Sequence, residues 1–417
     1  MNKTVSRSEV KGAIKAPTSK SYLQRALAMA LLAKGKSVIL DPNYCDDVLA
    51  AINVIQDLGA EVKAEADRIV VKSAGDVIPI SSEVNCGESG LCARMFAPII
   101  ALSGREVTLR VEGSLQKRPL GMVQDALLYL GVDCDTQQGF APMVIKGPIE
   151  PSELEVDGSI SSQLLTGLLI ALTKAEGVSV VKVDSLKSKP YIDMTLDIIN
   201  FFGGKVENNN YEVFTVHGEQ IFPAKKYRAE GDWSAAAFLL VAGAVSGYIE
   251  LFGMSFDSKQ ADMAIVDVLK MVGADVLVDA DSILVNRSEL KAFEFDATDC
   301  PDLFPPLVVL AANCVGQSKI HGTSRLKHKE SDRGKVLIEE FSKLGVEVVI
   351  DDNTMIVKGG KIKGGKVFSH EDHRIAMATA IAGLNADKPV IIEGTQCVSK
   401  SYPEFFEDLK DLGGNVQ

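Results

Sequence analysis

Six copies of one short pattern run through this 417-residue chain at nearly constant spacing. Each copy is an amphipathic helical segment, then a turn that contains glycine, then a strand-like run. The turns are Leu58-Gly59-Ala60, Leu130-Gly131-Val132, Phe202-Gly203-Gly204, Val272-Gly273-Ala274, Leu344-Gly345-Val346 and Leu412-Gly413-Gly414. Their period is about 70 residues, longer than the roughly 20–50 residues of a solenoid repeat. The pattern therefore predicts six small packed units, each with two helices and several strands.

A second and more apolar helix is predicted in each repeat. These helices start near Ser19, Ser89, Ser161, Asp232, Asp302 and Asp372, and Ser and Asp are favourable helix N-caps. Segments such as 26–33 and 376–382 are apolar on nearly all sides, which predicts burial. Helices that alternate with strand-like runs predict an α/β fold, which some schemes class as α+β.

The length of the chain predicts more than one domain, because a single hydrophobic core stops growing beyond about 250–300 residues. Six repeats divide into two domains of three. We predict one discontinuous domain from residues 1–18 and 229–417, and a second domain from residues 19–228. The first strand, over residues 5–16, is predicted to join the C-terminal half, so that the chain crosses twice between the domains.

Charge and composition exclude several classes of partner. A formal net charge of -12 disfavours nucleic acid and anionic membranes. The seven cysteines are scattered without a CxxC pair, which is not typical of a zinc site or a disulfide framework and fits a reducing cytoplasm. Residues 1–5 lack the apolar stretch of a signal peptide, and no apolar run is long enough to cross a membrane. We therefore expect a cytoplasmic protein without a metal site.

The segments that open the helices are basic and polar, which is unusual in an acidic chain. A helix N-terminus carries free N–H groups and partial positive charge, so added Lys, Arg and Ser side chains create an anion site. Each position alone has a plainer explanation, as a solvated charge, a cap or a salt-bridged turn. Their recurrence at equivalent repeat positions favours a ligand with more than one anionic group. The positions are Ser19-Lys20-Ser21 with Arg25, Gly90 with Arg94, Lys117-Arg118-Pro119, Ser161-Ser162-Gln163, Ser188-Lys189-Pro190-Tyr191, Lys329-Glu330-Ser331-Asp332-Arg333, Asp372-His373-Arg374 and Ser399-Lys400-Ser401.

Two carboxylates suggest acid–base chemistry. Asp302 precedes the apolar residues 303–306, and an apolar setting pushes a carboxylate toward its neutral form. Glu330 lies between Lys329 and Arg333, and neighbouring cations keep a carboxylate ionised. Such different environments suit a base and an acid. The alternative for Asp302 is that it only caps a helix.

Taken in order along the chain, these motifs resemble those of the 5-enolpyruvylshikimate-3-phosphate (EPSP) synthase family, or 3-phosphoshikimate 1-carboxyvinyltransferases. The resemblance covers essentially the whole length. Further matching strings are Asp46-Asp47, Asp157-Gly158-Ser159-Ile160-Ser161-Ser162-Gln163 and Pro301-Asp302. Any one string is a weak signal, but the ordered set is specific. The resemblance implies the enolpyruvyl transferase fold, with six βαβαββ units in two domains of three that close over a central cleft.

The same resemblance implies an activity in aromatic amino-acid (chorismate) biosynthesis. The enolpyruvyl (carboxyvinyl) group of phosphoenolpyruvate would pass to the 5-hydroxyl of shikimate 3-phosphate, with release of phosphate through a tetrahedral ketal intermediate. The resemblance implies no cofactor and no metal. It also implies a monomer whose domain closure, an induced fit, excludes water from the reactants.

Site residues are carried over one by one from the resemblance. Asp302 is implied as the base for the 5-hydroxyl, and Lys20 and Glu330 are alternatives for protonating the enol methylene carbon. Gly90 would let the backbone approach the ligand closely. Contacts to shikimate 3-phosphate are expected from Lys20, Ser21, Arg25, Ser161, Ser162, Gln163, Ser188, Tyr191, Asp302 and Lys329. Contacts to phosphoenolpyruvate are expected from Lys20, Gly90, Arg94, Arg118, Gln163, Arg333, Arg374 and Lys400.

One position departs from the family pattern. Members commonly place Thr after the glycine that corresponds to Gly90, and this chain has Leu91 there. The loss of a hydroxyl changes the packing expected beneath Arg94 and leaves sensitivity to the family's inhibitor glyphosate open. A plain substitution in the core is the alternative.

Two other functions compete with this interpretation. UDP-N-acetylglucosamine enolpyruvyl transferases are similar, but they carry a Cys just before their Arg-Pro motif, and residues 112–119 contain none. A phosphometabolite-binding protein without catalytic activity would keep the cations and lose the carboxylates. Asp302 and Glu330 are both present, which favours the synthase.

Overall fold

The computed structural model describes residues 1–159, 161–327 and 329–417. The chain divides into two compact units, one formed by Met1–Pro17 with Glu230–Gln417 and the other by Thr18–Ala229. We call them the terminal unit and the central unit. Each has its own hydrophobic core, built from the apolar helices and the inner faces of the strands. None of the described helices is long and apolar enough to cross a membrane.

Helices and strands alternate along both units. The helices are α1 (Lys20–Leu32), α2 (Asp46–Asp57), α3 (Gly90–Ile100), α4 (Gly121–Tyr129), α5 (Gln163–Leu172), α6 (Lys189–Phe201), α7 (Trp233–Ser246), α8 (Ile265–Met271), α9 (Phe304–Ala312), α10 (Arg333–Lys343), α11 (His373–Gly383) and α12 (Phe405–Asp411). The strands are β1 (Asn2–Ser6), β2 (Lys11–Lys15), β3 (Ala33–Leu40), β4 (Glu61–Glu65), β5 (Arg68–Ser73), β6 (Glu83–Asn85), β7 (Val107–Arg110), β8 (Asp133–Gln137), β9 (Phe140–Lys146), β10 (Glu153–Asp157), β11 (Val178–Asp184), β12 (Glu207–Asn209), β13 (Val213–His217), β14 (Phe222–Pro223), β15 (Lys226–Arg228), β16 (Tyr248–Phe252), β17 (Asp275–Val278), β18 (Ser282–Asn286), β19 (Glu294–Asp296), β20 (Gln317–His321), β21 (Glu347–Asp351), β22 (Thr354–Lys358), β23 (Gly365–Phe368), β24 (Val390–Glu393) and β25 (Asn415–Val416).

The six repeated turns share one conformation. Their central glycines all have φ between +74° and +104°, which an L side chain rarely adopts. In each turn the residue after the glycine donates its N–H to the carbonyl five residues earlier, at 2.8–3.1 Å. This is the bond that closes a Schellman motif, so each turn ends its helix and starts the following strand in the same way.

Each unit contains three sheets with one recurring order. In β6-β7-β9-β8, the first pair is parallel and the other two pairs are antiparallel. The same arrangement recurs in β10-β11-β13-β12, β17-β18-β16-β2, β19-β20-β22-β21 and β23-β24-β1-β25, and with an added strand in β14-β3-β5-β4, where β15 also pairs with β3. A parallel pair joined through a helix, followed by a helix and a hairpin, is a βαβαββ unit. The predicted fold class is confirmed.

The N-terminal segment forms two strands, so the prediction of a single strand over residues 5–16 is wrong. β1 pairs with β24 and β25, whereas β2 runs parallel to β16 in another sheet. Conversely, β15 lies directly before α7 in sequence but runs parallel to β3, which follows α1. β2 is thus the first strand of the repeat that contains α7, and β15 is a first strand of the repeat that contains α1. Each strand lies far from that helix in sequence.

Side chains cap several of the apolar helices at their predicted starts. Ser89, Asp232 and Asp372 each accept a hydrogen bond from a backbone N–H in the first turn of α3, α7 and α11. Two expectations need correction. Ser19 occupies the N-cap position of α1 without a side-chain cap bond, and Asp302 lies in a 3-10 turn, Pro301–Leu303, before α9 begins. Asp302 is therefore not explained by capping.

Candidate active site

Acidic and basic side chains from three segments meet in the terminal unit. They come from the 3-10 turn before α9, from the loop that leads into α10 together with its first residue, and from the start of α11. We call this set the carboxylate–cation cluster; it comprises Asp302, Lys329, Glu330, Arg333, Asp372 and Arg374. Three carboxylates balance three cations within it.

Arg333 is the buried centre of this cluster, and its side chain has no exposed surface. Its guanidinium donates from Nε to Asp372 at 3.0 Å, from Nη1 to Asp302 at 2.7 Å and from Nη2 to Glu330 at 2.6 Å. Burial by itself would lower the pKa of Arg333, but the carboxylates, Asp372 foremost, raise it. Arg333 is therefore held charged and fixes the relative positions of three carboxylates.

Asp302 is enclosed by cations, which corrects the expectation of an apolar setting. Its Oδ1 accepts from Lys329 at 3.1 Å and from Arg333 at 2.7 Å, and its Oδ2 lies 3.2 Å from Nη2 of Arg374. Burial acts to raise the pKa of Asp302, but the charges of Arg374, Lys329 and Arg333 outweigh burial and hold that pKa well below its usual range. The sequence suggested otherwise because only its immediate neighbours are apolar.

The cluster has a reachable part and a closed part. The side chains of Lys329, Asp302 and Glu330 are 22%, 19% and 16% exposed, whereas Arg333 and Asp372 are fully buried. Burial, the largest effect, lowers the pKa of Lys329. Lys400 is also buried, at the end of the 3-10 helix Thr395–Lys400, which packs on α11. Solvent therefore reaches Asp302, Lys329 and Glu330 but not Arg333 or Asp372.

In the central unit, two predicted arginines lie against Gly90 at the start of α3. A Cβ built on Gly90 would come within 2.9 Å of Nη1 of both Arg94 and Arg118, so a larger residue there would displace one or both guanidinium groups. Arg94 also donates to Oε1 of Gln163 at 3.0 Å and to the carbonyl of Pro119 at 3.0 Å. The structure therefore brings together Gly90, Arg94, Arg118 and Gln163, as the sequence suggested.

Arg25 is buried among neutral groups. It donates to the hydroxyls of Thr195 and Thr166, at 3.0 and 3.3 Å, and to the carbonyls of Ser21 and Tyr191, at 2.8 and 3.1 Å. Burial lowers the pKa of Arg25 to about 10. Thr166 and Gln163 are three residues apart on α5, so the groups around Arg25 and Arg94 share one face of that helix.

The remaining predicted residues of the central unit lie at other helix starts. Lys20, the first residue of α1, is 2.8 Å from Oδ2 of Asp47. Ser161 accepts from the N–H of Gln163 at 3.2 Å, and Ser162 is the N-cap residue of α5. Ser188 precedes α6 with a left-handed φ of 57°.

Sequence reasoning assigned no role to several residues that the structure places here. Asp372 accepts from Arg333 and from the hydroxyl of Ser331, at 3.0 and 3.1 Å. Asp47 accepts from Lys20. Asp47 and Asp372 each lie in a motif quoted above, but neither was expected to contact a substrate. Thr166 and Thr195 carried no signal, because a threonine in an apolar helix usually satisfies its hydroxyl locally.

The sequence of the whole chain is similar to that of one enzyme family. The EPSP synthase (3-phosphoshikimate 1-carboxyvinyltransferase) family model matches residues 5–409. A 3-phosphoshikimate 1-carboxyvinyltransferase of Clostridium novyi (strain NT) is 37% identical over 420 residues, which cover 98% of this chain and 97% of that relative. The chain belongs to the EPSP synthase family.

Solved structures agree with membership of the EPSP synthase family. An EPSP synthase from Acinetobacter baumannii matches with a TM-score of 0.86 and 25% identity, over 100% of this chain and 99% of that one. An enolpyruvyl transferase from Streptomyces tendae has the same fold, with a TM-score of 0.80 at 18% identity over 100% and 98% of the two chains. Leu91, the position at which we noted a departure from the expected family pattern, is buried in the core of the central unit.

Asp262 is a further buried carboxylate that experiences the charges of this cluster. Its Oδ2 accepts from the hydroxyl of Ser234, and its Oδ1 has no hydrogen-bond partner among the described residues. Burial, followed by the negative charge of Asp302, raises the pKa of Asp262 to about 6. The folded state therefore holds this proton more tightly than the unfolded chain does, in which the pKa of an aspartate is about 3.8.

We expect Asp262→Asn to stabilise the protein at neutral pH. Because the folded-state pKa is raised, ionisation of Asp262 lowers stability progressively as pH rises from 3.8 to about 6. Removing that cost should increase the free energy of unfolding near pH 7 by on the order of 3 kcal/mol and change it little near pH 4. Urea unfolding at both pH values measures the difference.

The matched control is Asp267→Asn at an exposed position of α8, and its effect should be small at both pH values. An equal effect of Asp262→Asn at the two pH values would show that the carboxylate is not destabilised by burial.

Proposed function

We propose that this protein transfers the enolpyruvyl group of phosphoenolpyruvate to the 5-hydroxyl of shikimate 3-phosphate and releases phosphate, in aromatic amino-acid biosynthesis. Membership of the EPSP synthase family supports this reaction. The observation that carries it is the placement of Asp302, a partly exposed carboxylate held by Lys329, Arg333 and Arg374. A base among cations suits a reaction between two anionic substrates.

The chemical steps balance with the residues of this chain. Protonation of the methylene carbon of phosphoenolpyruvate makes the neighbouring carbon cationic, and the 5-hydroxyl oxygen attacks it as Asp302 takes the hydroxyl proton. The resulting ketal then loses phosphate and a methyl proton, which restores the enol ether. Lys20 and Glu330 remain alternatives for the first proton transfer. No step needs a redox or metal partner, so we propose that the reaction needs neither.

Substrate binding would adjust Asp302 to its role. In the free protein three cations hold its pKa well below the usual range, which favours the ionised form but makes it a weak base. An anionic substrate that engages Lys329 or Arg374 shares their charge. The pKa of Asp302 then rises toward the range in which it accepts a proton efficiently. Contact of a ligand with Arg333 would require one of its carboxylates to move.

We propose that the central unit supplies most of the anion contacts. Arg25 has only neutral groups among its described hydrogen-bond partners, so an anionic substrate would provide its counter-charge. We assign Arg25 with Ser21, Ser161, Ser162, Ser188 and Tyr191 to shikimate 3-phosphate. Arg94 and Arg118 converge on Gly90, where backbone N–H groups at the start of α3 add to their charge, and we assign them to phosphoenolpyruvate.

The remaining expectations belong to the same proposal. We propose that residues 1–18 with 229–417, and residues 19–228, act as the two domains of a monomer, and that they close during the reaction to exclude water. The seven cysteines form no disulfide in the part of the chain that the structure describes, which fits the reducing cytoplasm that we propose as the location.

Phosphate release tests the function directly. Purified protein given shikimate 3-phosphate and phosphoenolpyruvate should release one phosphate per enolpyruvyl product, with EDTA present. Release with UDP-N-acetylglucosamine and not with shikimate 3-phosphate would transfer the assignment to the other transferase class. Tight binding of both substrates without any release would indicate the non-catalytic binding protein.

A further inference from the structure

Glu340 is a buried carboxylate of the terminal unit that no step above uses. It lies on α10, two turns after Arg333, and its side chain is fully buried. Its Oε1 accepts from Nζ of Lys343 at 2.7 Å and from Nε2 of His370 at 2.6 Å, and its Oε2 accepts from the N–H of Phe368 at 3.0 Å. One carboxylate thus joins α10 to the end of β23 and to the turn that follows it.

That turn has an unusual backbone. His370 and Glu371 are consecutive residues with φ of 53° and 59°, in the left-handed region that disfavours residues with a Cβ. The N–H of Glu371 is bonded to the hydroxyl of Ser369, at 3.2 Å, and the ring of His370 lies 4.9 Å from that of Phe368. Two adjacent non-glycine residues remain left-handed only where surrounding contacts hold them.

The turn leads directly into the carboxylate–cation cluster. Asp372 follows Glu371, caps α11 and accepts from Arg333, and two residues later Arg374 lies 3.2 Å from Asp302. If His370 and Glu371 relaxed to right-handed φ values, the chain would enter α11 from a different direction. Asp372 and Arg374 would then shift relative to Arg333 and Asp302.

We propose that Glu340 and His370 form a clasp that keeps residues 370 and 371 of the 369–371 turn left-handed, and thereby positions Asp372 against Arg333 and Arg374 for the anionic substrate. His370 and Glu340 are positioning residues in this proposal, because they act through the turn. The link to phosphoenolpyruvate rests on the proposed function, whereas the conformational role of the clasp does not.

The same side chains could be considered as a metal site. Glu339, Glu340 and His370 place three possible ligand atoms within 4.8 Å of one another. However, the ammonium of Lys343 already contacts Glu339 at 3.2 Å and Glu340 at 2.7 Å, so the chain supplies its own cation there. The geometry favours the clasp.

Three substitutions at His370 distinguish the effect of losing its hydrogen bond to Glu340 from the effect of its left-handed backbone. His370→Ala removes the donor and keeps the Cβ, so we expect the KM for phosphoenolpyruvate to rise about tenfold, equivalent to about 1.4 kcal/mol, with a smaller change in kcat. His370→Gly also lacks the donor but adopts a left-handed φ without strain, so its KM should recover most of that loss. His370→Gln keeps an N–H donor and should remain close to the parent protein.

Amide hydrogen exchange measures the conformation of the 369–371 turn and does not depend on catalytic activity. We expect faster exchange in the peptide covering residues 366–374 for His370→Ala, and near-parent exchange for His370→Gln. His321→Ala is the matched control: it also removes a His–Glu pair, Nε2 to Glu294 at 2.9 Å, but from a regular strand. It should change neither the KM nor exchange in residues 366–374.

Parent-like exchange in His370→Ala would overturn the clasp, whether or not the protein is a synthase. A KM raised equally in the Ala and Gly variants would overturn the role assigned to the left-handed turn. An inactive parent protein would refute the proposed function and leave the exchange experiment to decide the clasp.

Discussion

Replacing Asp302 by Asn is expected to lower kcat by about 10²- to 10⁴-fold, the range that a positioned general base contributes. Asn has nearly the same shape but cannot take the proton of the 5-hydroxyl. The substitution also leaves Lys329, Arg333 and Arg374 with one negative charge fewer. The KM for each anionic substrate should therefore stay unchanged or fall, so that the loss appears in kcat.

Steady-state kinetics with both substrates, together with direct substrate binding to the variant, separates these effects. Asp351→Asn, at the exposed end of β21, is the control and should behave as the parent protein. Parent-like kcat in Asp302→Asn would remove Asp302 from the reaction, and a raised KM with normal kcat would make it a binding residue.

Replacing Arg333 by Met should be the most destabilising change in the cluster. Met fills a similar volume but leaves Asp302, Glu330 and Asp372 without their shared cation. Loss of one partner from a buried ion pair costs about 3–5 kcal/mol, because the remaining charges are left uncompensated. Denaturant unfolding should show a lower free energy of unfolding, and activity should be lost with it.

Arg110→Met provides the matched control on the surface. Arg110 pairs with Glu83 at 2.6 Å, but both side chains are about half exposed, so the expected loss is much smaller than for Arg333→Met. A second variant, Arg333→Met with Asp372→Asn, should be less destabilised than the sum of the single changes, since the two residues are coupled. Equal losses for Arg333→Met and Arg110→Met would contradict the central role of Arg333.

The repeat architecture could be predicted because its signal is local. A glycine such as Gly59 must adopt a positive φ to end its helix, and this requirement recurs at every repeat. The helix starts near Ser89, Asp232 and Asp372 were equally visible, since a cap acts within one turn of its own helix. The motifs at these helix starts then predicted which side chains belong to the candidate site.

The electrostatics could not be predicted, because they depend on partners far apart in sequence. Arg333 bonds Asp302, 31 residues away, and Asp372, 39 residues away. The apolar residues beside Asp302 suggested a neutral setting, whereas its actual neighbours come from α10 and α11. The same reason applies to the neutral surroundings of Arg25 and to the exchanged positions of β2 and β15. Their partners are also far away in sequence, so neither feature could be predicted.

The pairing of β1 with β24 and β25 has a consequence for the order in which the two units can form on the ribosome. Thr18–Ala229 is continuous, so all of its sheets can be completed once that stretch has emerged. β1 has no such option, since its Val5 pairs with Val390 and Val416. The sheet that contains β1 can therefore be completed only after β24 and β25 have been synthesised, so one sheet of the terminal unit forms later than those of the central unit.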